Sequence, residues 1–289
     1  MYTCRYCRQS SDGDATSCPH CGAPVNVKDR VSDSGWEEQP PIKDMARIQF
    51  GQSTCQVSGK YVPVADMQLA QGDGVYFSHH VLLWAEPAVQ MQAMSMKGGW
   101  NRMYSGMPLI MMQAAGPGHI AFSHDDPGET VIVPLQHGQS VDVREHEFLV
   151  ATTNVGYDWY QSGVWFTTGS GNDQETHFPL GQFIDRFHAD GGPGLLLIHS
   201  PGNVFIRDLQ QGQAICIQPS ALVYKDPSVG MQLHIEYPAG GGIFGGYNSR
   251  TVWLRMWGPG RVAVQSVFER PEAANNINNH SPATTQRWG

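Results

Sequence analysis

The sequence predicts an all-β protein: three tandem β units preceded by a small N-terminal zinc ribbon. Three observations carry this: a threefold repeat, period-two apolar alternation inside each copy, and two Cys-x-x-Cys pairs within the first 21 residues.

The repeat is read from constant offsets. Leu69-x-x-Gly72-x-x-Val75-x-Phe77 recurs as Leu135-x-x-Gly138-x-x-Val141-x-Val143 and as Leu209-x-x-Gly212-x-x-Ile215-x-Ile217. A valine stands seventeen residues past each glycine, at Val89, Val155 and Val229. The apolar triplets Val81-Leu82-Leu83, Phe148-Leu149-Val150 and Ala221-Leu222-Val223 align between them as a second strand. Alternation such as Val-x-Phe marks a half-buried strand, and the preceding glycine a tight turn. Gly-Pro-Gly recurs at 116–118, 192–194 and 258–260, each time leading into an apolar strand. Proline has no N–H for a ladder, so each triplet fits a bend at a strand entrance. The first unit lacks a Gly-Pro-Gly before it, so the strand at Val262–Val267 is expected to lie near the first unit and close the body. Gly240–Gly246 is rich in glycine, but neither a helix nor Lys-Ser/Thr follows it, so a strand-edge loop is the reading.

The ribbon occupies residues 1–24. Cys4 with Cys7, and Cys18 with Cys21, each present two thiolates from one turn, and together they supply the four sulfurs of a closed structural Zn²⁺ site. Pro19 and Gly22 suit the second turn, and His20 is a bystander. So small a module has little apolar core, so metal supplies most of its folding energy. Residues 25–45 read as a flexible linker, 46–268 as the three-repeat body, and the Asn/Pro/Thr-rich 269–289 as a disordered tail.

Composition narrows the function. The net charge of −8 gives no general attraction for a phosphate backbone, which disfavours nucleic acid as a partner. No apolar run has the length of a transmembrane segment, and the first residues do not read as a secretory signal, so a cytoplasmic location is expected. Disulfides are then not the expected use of six cysteines; Cys55 and Cys216 read as small buried hydrophobes.

Trp100-x-Arg102, Gly106-x-Pro108, Gly116-Pro117-Gly118 with Pro127-Gly128, Phe148-Leu149-Val150-Ala151 with Val155, and Gly258-Pro259-Gly260-x-Val262-x-Val264-Gln265 resemble, in order and spacing, the altered-inheritance-of-mitochondria 24 family. The resemblance covers about residues 46–268. It implies three double-stranded β-helix-like units similar to the fold of the tryptophan-RNA-binding attenuation protein, and association into trimeric rings or larger assemblies. It brings no catalytic residues. Residues 165–192 depart from the pattern as a long polar insertion.

An enzyme needs a site, and none is assembled by the pattern. His79 and His80 are neighbours and so point to opposite sides of a strand. His137 and His146 fall at turns, and Glu145 and Glu147 read as a solvated strand end. The expectation is a non-enzymatic, self-associating scaffold whose ribbon recruits a protein partner, with the trimer taken from the family resemblance. A nucleic-acid-binding regulator and a metal-dependent, cupin-like enzyme are the alternatives.

Overall fold

The computed structural model describes residues 1–12, 16–26, 28–94, 111–169, 171–237, 251–269, 277, 280–281 and 284–287. Two features named above, Trp100 to Pro108 and the glycine-rich 240–246, lie outside the described residues.

The ribbon holds β1 (Tyr2–Thr3) and β2 (Ser10–Ser11), and the segment after it holds β3 (Glu37–Glu38). A hairpin of β4 (Ala46–Phe50) and β5 (Ser53–Ser58) leads into the repeats. The first repeat comprises β6 (Val64–Leu69), β7 (Gly74–Ser78), β8 (Leu82–Ala85), β9 (Gln90–Ala93), β10 (Met111–Ala115) and β11 (Gly118–Phe122). The second begins with β12 (Glu129–Leu135), β13 (Ser140–Arg144), β14 (Phe148–Thr152) and β15 (Gly156–Gln161). A hairpin, β16 (Phe166–Thr168) with β17 (Glu175–His177), precedes β18 (Phe183–His188) and β19 (Gly194–Ser200). The third is β20 (Val204–Leu209), β21 (Ala214–Ile217), β22 (Leu222–Lys225), β23 (Gly230–Tyr237), β24 (Thr251–Trp257) and β25 (Gly260–Gln265), followed by β26 (Thr284–Arg287). Among the described residues no helix is long and apolar enough to cross a membrane.

Each repeat uses its six strands in the same way. Its last strand lies between its first and third, in the orders β6-β11-β8, β12-β19-β14 and β20-β25-β22. The other three form β7-β10-β9, β13-β18-β15 and β21-β24-β23. Each Gly-Pro-Gly strand therefore completes its own repeat. The expectation for Val262–Val267 is corrected on this point: β25 pairs with β22, Val262 opposite Lys225 and Val264 opposite Leu222. A Gly-Pro-Gly bend returns the chain to the strand that opened its own unit.

Two compact units divide the chain. The first comprises Met1–Ser140, His146–Asp158 and Phe187–Val204. It contains the ribbon, the six-stranded sheet β12-β19-β14-β7-β10-β9 and the five-stranded sheet β4-β5-β6-β11-β8. Its buried cluster joins Phe77 of one sheet to Phe122 of the other, with ring centroids 4.8 Å apart, and runs on through Ile48, Cys55, Met67 and Ile120 to the ribbon's Tyr6 and Ala23. The second comprises Val141–Glu145, Trp159–Arg186 and Phe205–Gly289. Its core includes Phe183, Leu209, Val223, Leu233, Leu254 and Met256.

Neighbouring repeats meet at one seam in each unit. In the first, β7 pairs with β14, placing Tyr76 opposite Ala151 and Phe77 opposite Val150. In the second, β13 pairs with β22, placing Asp142 opposite Lys225 and Val143 opposite Tyr224. Counted from each repeat's turn glycine these are the same positions, so the two seams share one register. The same count corrects the triplet alignment by one residue in the second repeat: Leu149, and not Val150, is the counterpart of Leu83 and Val223. β8, β14 and β22 all start at the same offset from their glycines, at Leu82, Phe148 and Leu222, and in the turn before β14 His146 has φ +73°.

Three further expectations change. Residues 25–45 are no free tether: Tyr6 donates to the buried Glu37 at 2.5 Å, Arg5 pairs with the same carboxylate, and the Lys43 N–H donates to the Cys21 carbonyl at 2.9 Å. The tail, read as disordered, contributes β26, which pairs in parallel with β23, and it buries Ile277 and Ser281. Thr284–Arg287 extends the open edge of β23 through backbone pairing, which does not depend on apolar side chains. The polar insertion reduces to the β16–β17 hairpin and its flanks, because β18 is the counterpart of β10 and β24.

Gly72, Gly138 and Gly212 have φ of +91°, +79° and +83°, with nothing within 4 Å of an added Cβ. Only backbone strain opposes a side chain there. Gly138→Ala and Gly212→Ala should therefore each lose about 1–2 kcal/mol in urea unfolding, and by equal amounts. Gly116 and Gly258 differ: a Cβ would stand 2.4 Å from the Ala70 carbonyl oxygen and 2.5 Å from that of Gln210. Gly116→Ala and Gly258→Ala should each cost more than the turn substitutions, since backbone must move.

Candidate metal centre and buried polar clusters

The four ribbon cysteines are buried, and their sulfurs all lie within 4.8 Å of one another. Two matched turns bring them there. The Arg8 N–H donates to the Cys4 carbonyl and the Gly22 N–H to the Cys18 carbonyl, both at 2.9 Å. Cys4 and Cys18 in turn donate their N–H groups to Gln9 and Ala23. Both turns need a left-handed residue in the same place, Arg8 at φ +58° and Gly22 at φ +83°. The glycine was legible in the sequence and the arginine was not.

Cys4 Sγ lies 3.7 Å from Cys21 Sγ, and Cys7 Sγ lies 3.7 Å from Cys18 Sγ. A disulfide would hold two sulfurs about 2 Å apart. A tetrahedron with metal–sulfur bonds of about 2.3 Å has edges of about 3.8 Å, so these spacings fit four sulfurs around one ion. The thiols cannot all ionise unaided. Hydrogen bonds from Cys21 and Cys7 lower Cys4, whereas the thiol of Cys7 is raised, first by its bond to Cys21. That of Cys21 is pushed up to about 12, first by its bond to Cys4. A bound cation would resolve the conflict by stabilising all four thiolates at once.

The remaining candidates are dispersed. His137 and His146 are exposed, as expected, and His79 and His80 sit in a short 3-10 turn, both exposed. Glu145 and Glu147 are buried, which corrects the solvated reading: the Glu145 carboxylate accepts the Phe183 N–H at 3.2 Å. Cys55 is buried, but Cys216 is exposed on β21.

Two groupings escaped the sequence because their members are far apart in it. In the first unit His124 and His199 stack with centroids 4.3 Å apart and planes 6° apart, and His80 presents its edge to His124. Burial pushes His199 down to about 4; His80, exposed at one side, is also lowered, first by partial desolvation and then by the neighbouring His124. In the second unit the fully buried Asp142 carboxylate accepts from Arg186 at 2.6 and 2.9 Å, from Lys225 at 2.8 Å and from the Tyr160 hydroxyl at 2.8 Å. Burial alone would raise this carboxyl, but Arg186 and Lys225 outweigh it and hold it below the usual carboxylate range. Such a saturated carboxylate is a structural tie at the second seam.

Two measurements follow from these clusters. Cys18→Ser should abolish stoichiometric metal and lower the melting temperature of the first unit, because the ribbon shares its core. Asp142→Asn leaves the buried Lys225 ammonium without its counter-charge and should cost about 3–5 kcal/mol. The folded pKa of Asp142 lies below its unfolded value. Its contribution is therefore full above the ordinary carboxylate pKa and is lost as pH falls through the lowered one. Unfolding from pH 7 down to pH 2 should show that loss in the wild type and none of it in Asp142→Asn.

No curated protein matches the chain. A crystal structure of a Streptococcus pyogenes protein from a structural-genomics programme is similar to it, with a TM-score of 0.54 and 18% identity over 75% of this chain and 94% of that one. At that identity the likeness concerns the fold alone. Residues 55–267, from β5 to just past β25, match the family described as Mitochondrial biogenesis AIM24. With the match spanning the repeats, the chain belongs to that family.

Proposed function

We propose that this protein is a non-enzymatic, self-associating scaffold, located in the cytoplasm, with a ribbon built on structural zinc. Zinc is favoured because four thiolates at tetrahedral spacing, buried and with no open position, suit a d¹⁰ ion with no redox chemistry. Six free cysteines accord with a reducing compartment. The ribbon's outer face is the surface offered to a protein partner.

One observation carries the self-association. Two seams are made and buried, while the strands that would make a third stand exposed. Leu83 is 50% exposed and Trp84 47%, yet their counterparts Leu149 and Val150 in β14, and Val223 and Tyr224 in β22, are buried. β8 ends its sheet, and β21 ends its own. An exposed apolar edge strand is a template for pairing. With the register of the other seams, β21 of one copy meets β8 of the next, Cys216 opposite Ala85 and Ile217 opposite Trp84. This head-to-tail contact closes into a ring under cyclic symmetry, and a trimer is the number the family resemblance implies.

Light scattering of the full chain should give a multiple of the 31.8 kDa chain mass. Trp84→Lys should reduce it to one chain with unchanged circular dichroism. Ala85→Cys should cross-link to the native Cys216 between copies under mild oxidation, since cross-strand pairs lie within disulfide reach. A wild-type mass of one chain at every concentration, or a cross-link formed only within a chain, would overturn self-association through this edge.

A further inference from the structure

The turn between the first and second repeats holds an arrangement that neither the ribbon nor the seams use. β11 ends at Phe122, and the chain turns through His124, Asp125 and Asp126 before entering β12. The ring of His124 is anchored on one side only: Nε2 lies 3.0 Å from the His146 carbonyl oxygen, which fixes Nε2 as the protonated nitrogen. In the neutral ring Nδ1 carries the lone pair, and that atom is buried with no hydrogen-bond partner. It lies 3.9 Å from Asp126 Oδ2, and one ligand atom from each of His124, Asp125 and Asp126 falls within 4.8 Å of the others. Asp125 is held at φ +64°, a left-handed conformation that asparagine and aspartate tolerate better than most residues.

A second, independent feature faces the same turn. His199 on β19 is 4% exposed, and its Nε2 has no hydrogen-bond partner. That nitrogen is directed at the turn: a Cβ on Gly128 would stand 2.4 Å from it. The Asp126 and Pro127 backbones act on the ring, but neither meets Nε2 with hydrogen-bond geometry. Two stacked imidazoles, each with a buried and unmatched nitrogen beside two exposed carboxylates, are a costly arrangement for a purely structural turn.

We infer that His124, Asp125 and Asp126, with His199 beneath them, form a second metal site that takes a first-row divalent transition ion. The chemistry of the set decides the class. Imidazole nitrogen with carboxylate oxygen suits zinc, cobalt or nickel better than calcium or magnesium, which prefer all-oxygen shells. The carbonyl anchor on Nε2 of His124 is the outer-shell bond that orients a metal-ligating histidine. Ligands on one tetrahedral ion of this kind stand about 3.3 Å apart. Asp126, with its exposed side chain, closes that gap by rotation, and His199, stacked in parallel on His124 and outside the three-residue group, backs the ligating ring. The bound ion ties the linker between repeats one and two to β19 and to the β13–β14 turn, stiffening the first unit next to its seam.

The test uses the full chain with its four-cysteine site already filled by one equivalent of zinc. Cobalt(II) is then titrated by calorimetry and visible spectroscopy. One further equivalent is expected, with d–d bands and no sulfur-to-metal charge-transfer band. His124→Gln should abolish it, Asp126→Asn and His199→Gln should each weaken it tenfold or more, and Cys216→Ser should leave it unchanged. Absence of a second equivalent, a thiolate band accompanying it, or undiminished binding by His124→Gln would each overturn the site. Should His124→Gln fail to fold, cobalt-induced paramagnetic shifts of imidazole protons in the wild type decide instead: shifts at His124 and His199 support the site, and shifts confined to other histidines refute it.

Discussion

Unpaired strand edges govern this molecule. Each repeat is two three-stranded sheets, and a sheet so narrow exposes a row of backbone N–H and C=O groups on either side. Most of the architecture follows from how those groups are met. A Gly-Pro-Gly bend returns the chain so that the last strand of a repeat fills the space between its first and third. The β4–β5 hairpin extends one flank of the first repeat, and β26 covers β23 in the third. The seams β7·β14 and β13·β22 use two further pairs of edges to join one repeat to the next.

The ribbon is bound to the same frame by ordinary means. The Lys43 amide reaches the Cys21 carbonyl, the Gln9 side chain reaches the Gln49 carbonyl, and the Lys43 ammonium caps the Pro19 carbonyl. Four buried cysteines placed to hold a metal ion organise the ribbon, and packing beside Ile48 and Cys55 makes it part of a larger core. A module too small to fold on its own apolar surface gains that surface from its neighbour.

What the sequence made legible was local or periodic. The Cys-x-x-Cys pairs, the turn glycines and the alternating triplets each encode a conformation within a few residues, and the structure keeps them. Features formed by distant residues were misread or missed. Glu145 looked like a solvated strand end because its partner, the Phe183 amide, is 38 residues away. Cys216 looked buried because Ile-x-Ile alternation reports which residues share a face and cannot report whether that face is covered. The stacked pair His124 and His199 had no motif, since the two arrive from different repeats.

The seams also differ chemically, although their backbones match. Tyr76 meets Ala151 across one and Asp142 meets Lys225 across the other, while Cys216 occupies the corresponding place on β21. Were β13 to pair with β14 or β8, the residue facing Asp142 would be Ala151 or Ala85, and Lys225 would be left alone. Tandem copies of one unit are prone to mispairing as they emerge from the ribosome. Asp142 draws Arg186 and Tyr160 from its own repeat but meets Lys225 in only one order of units, so the divergence of the three copies at this position favours that order.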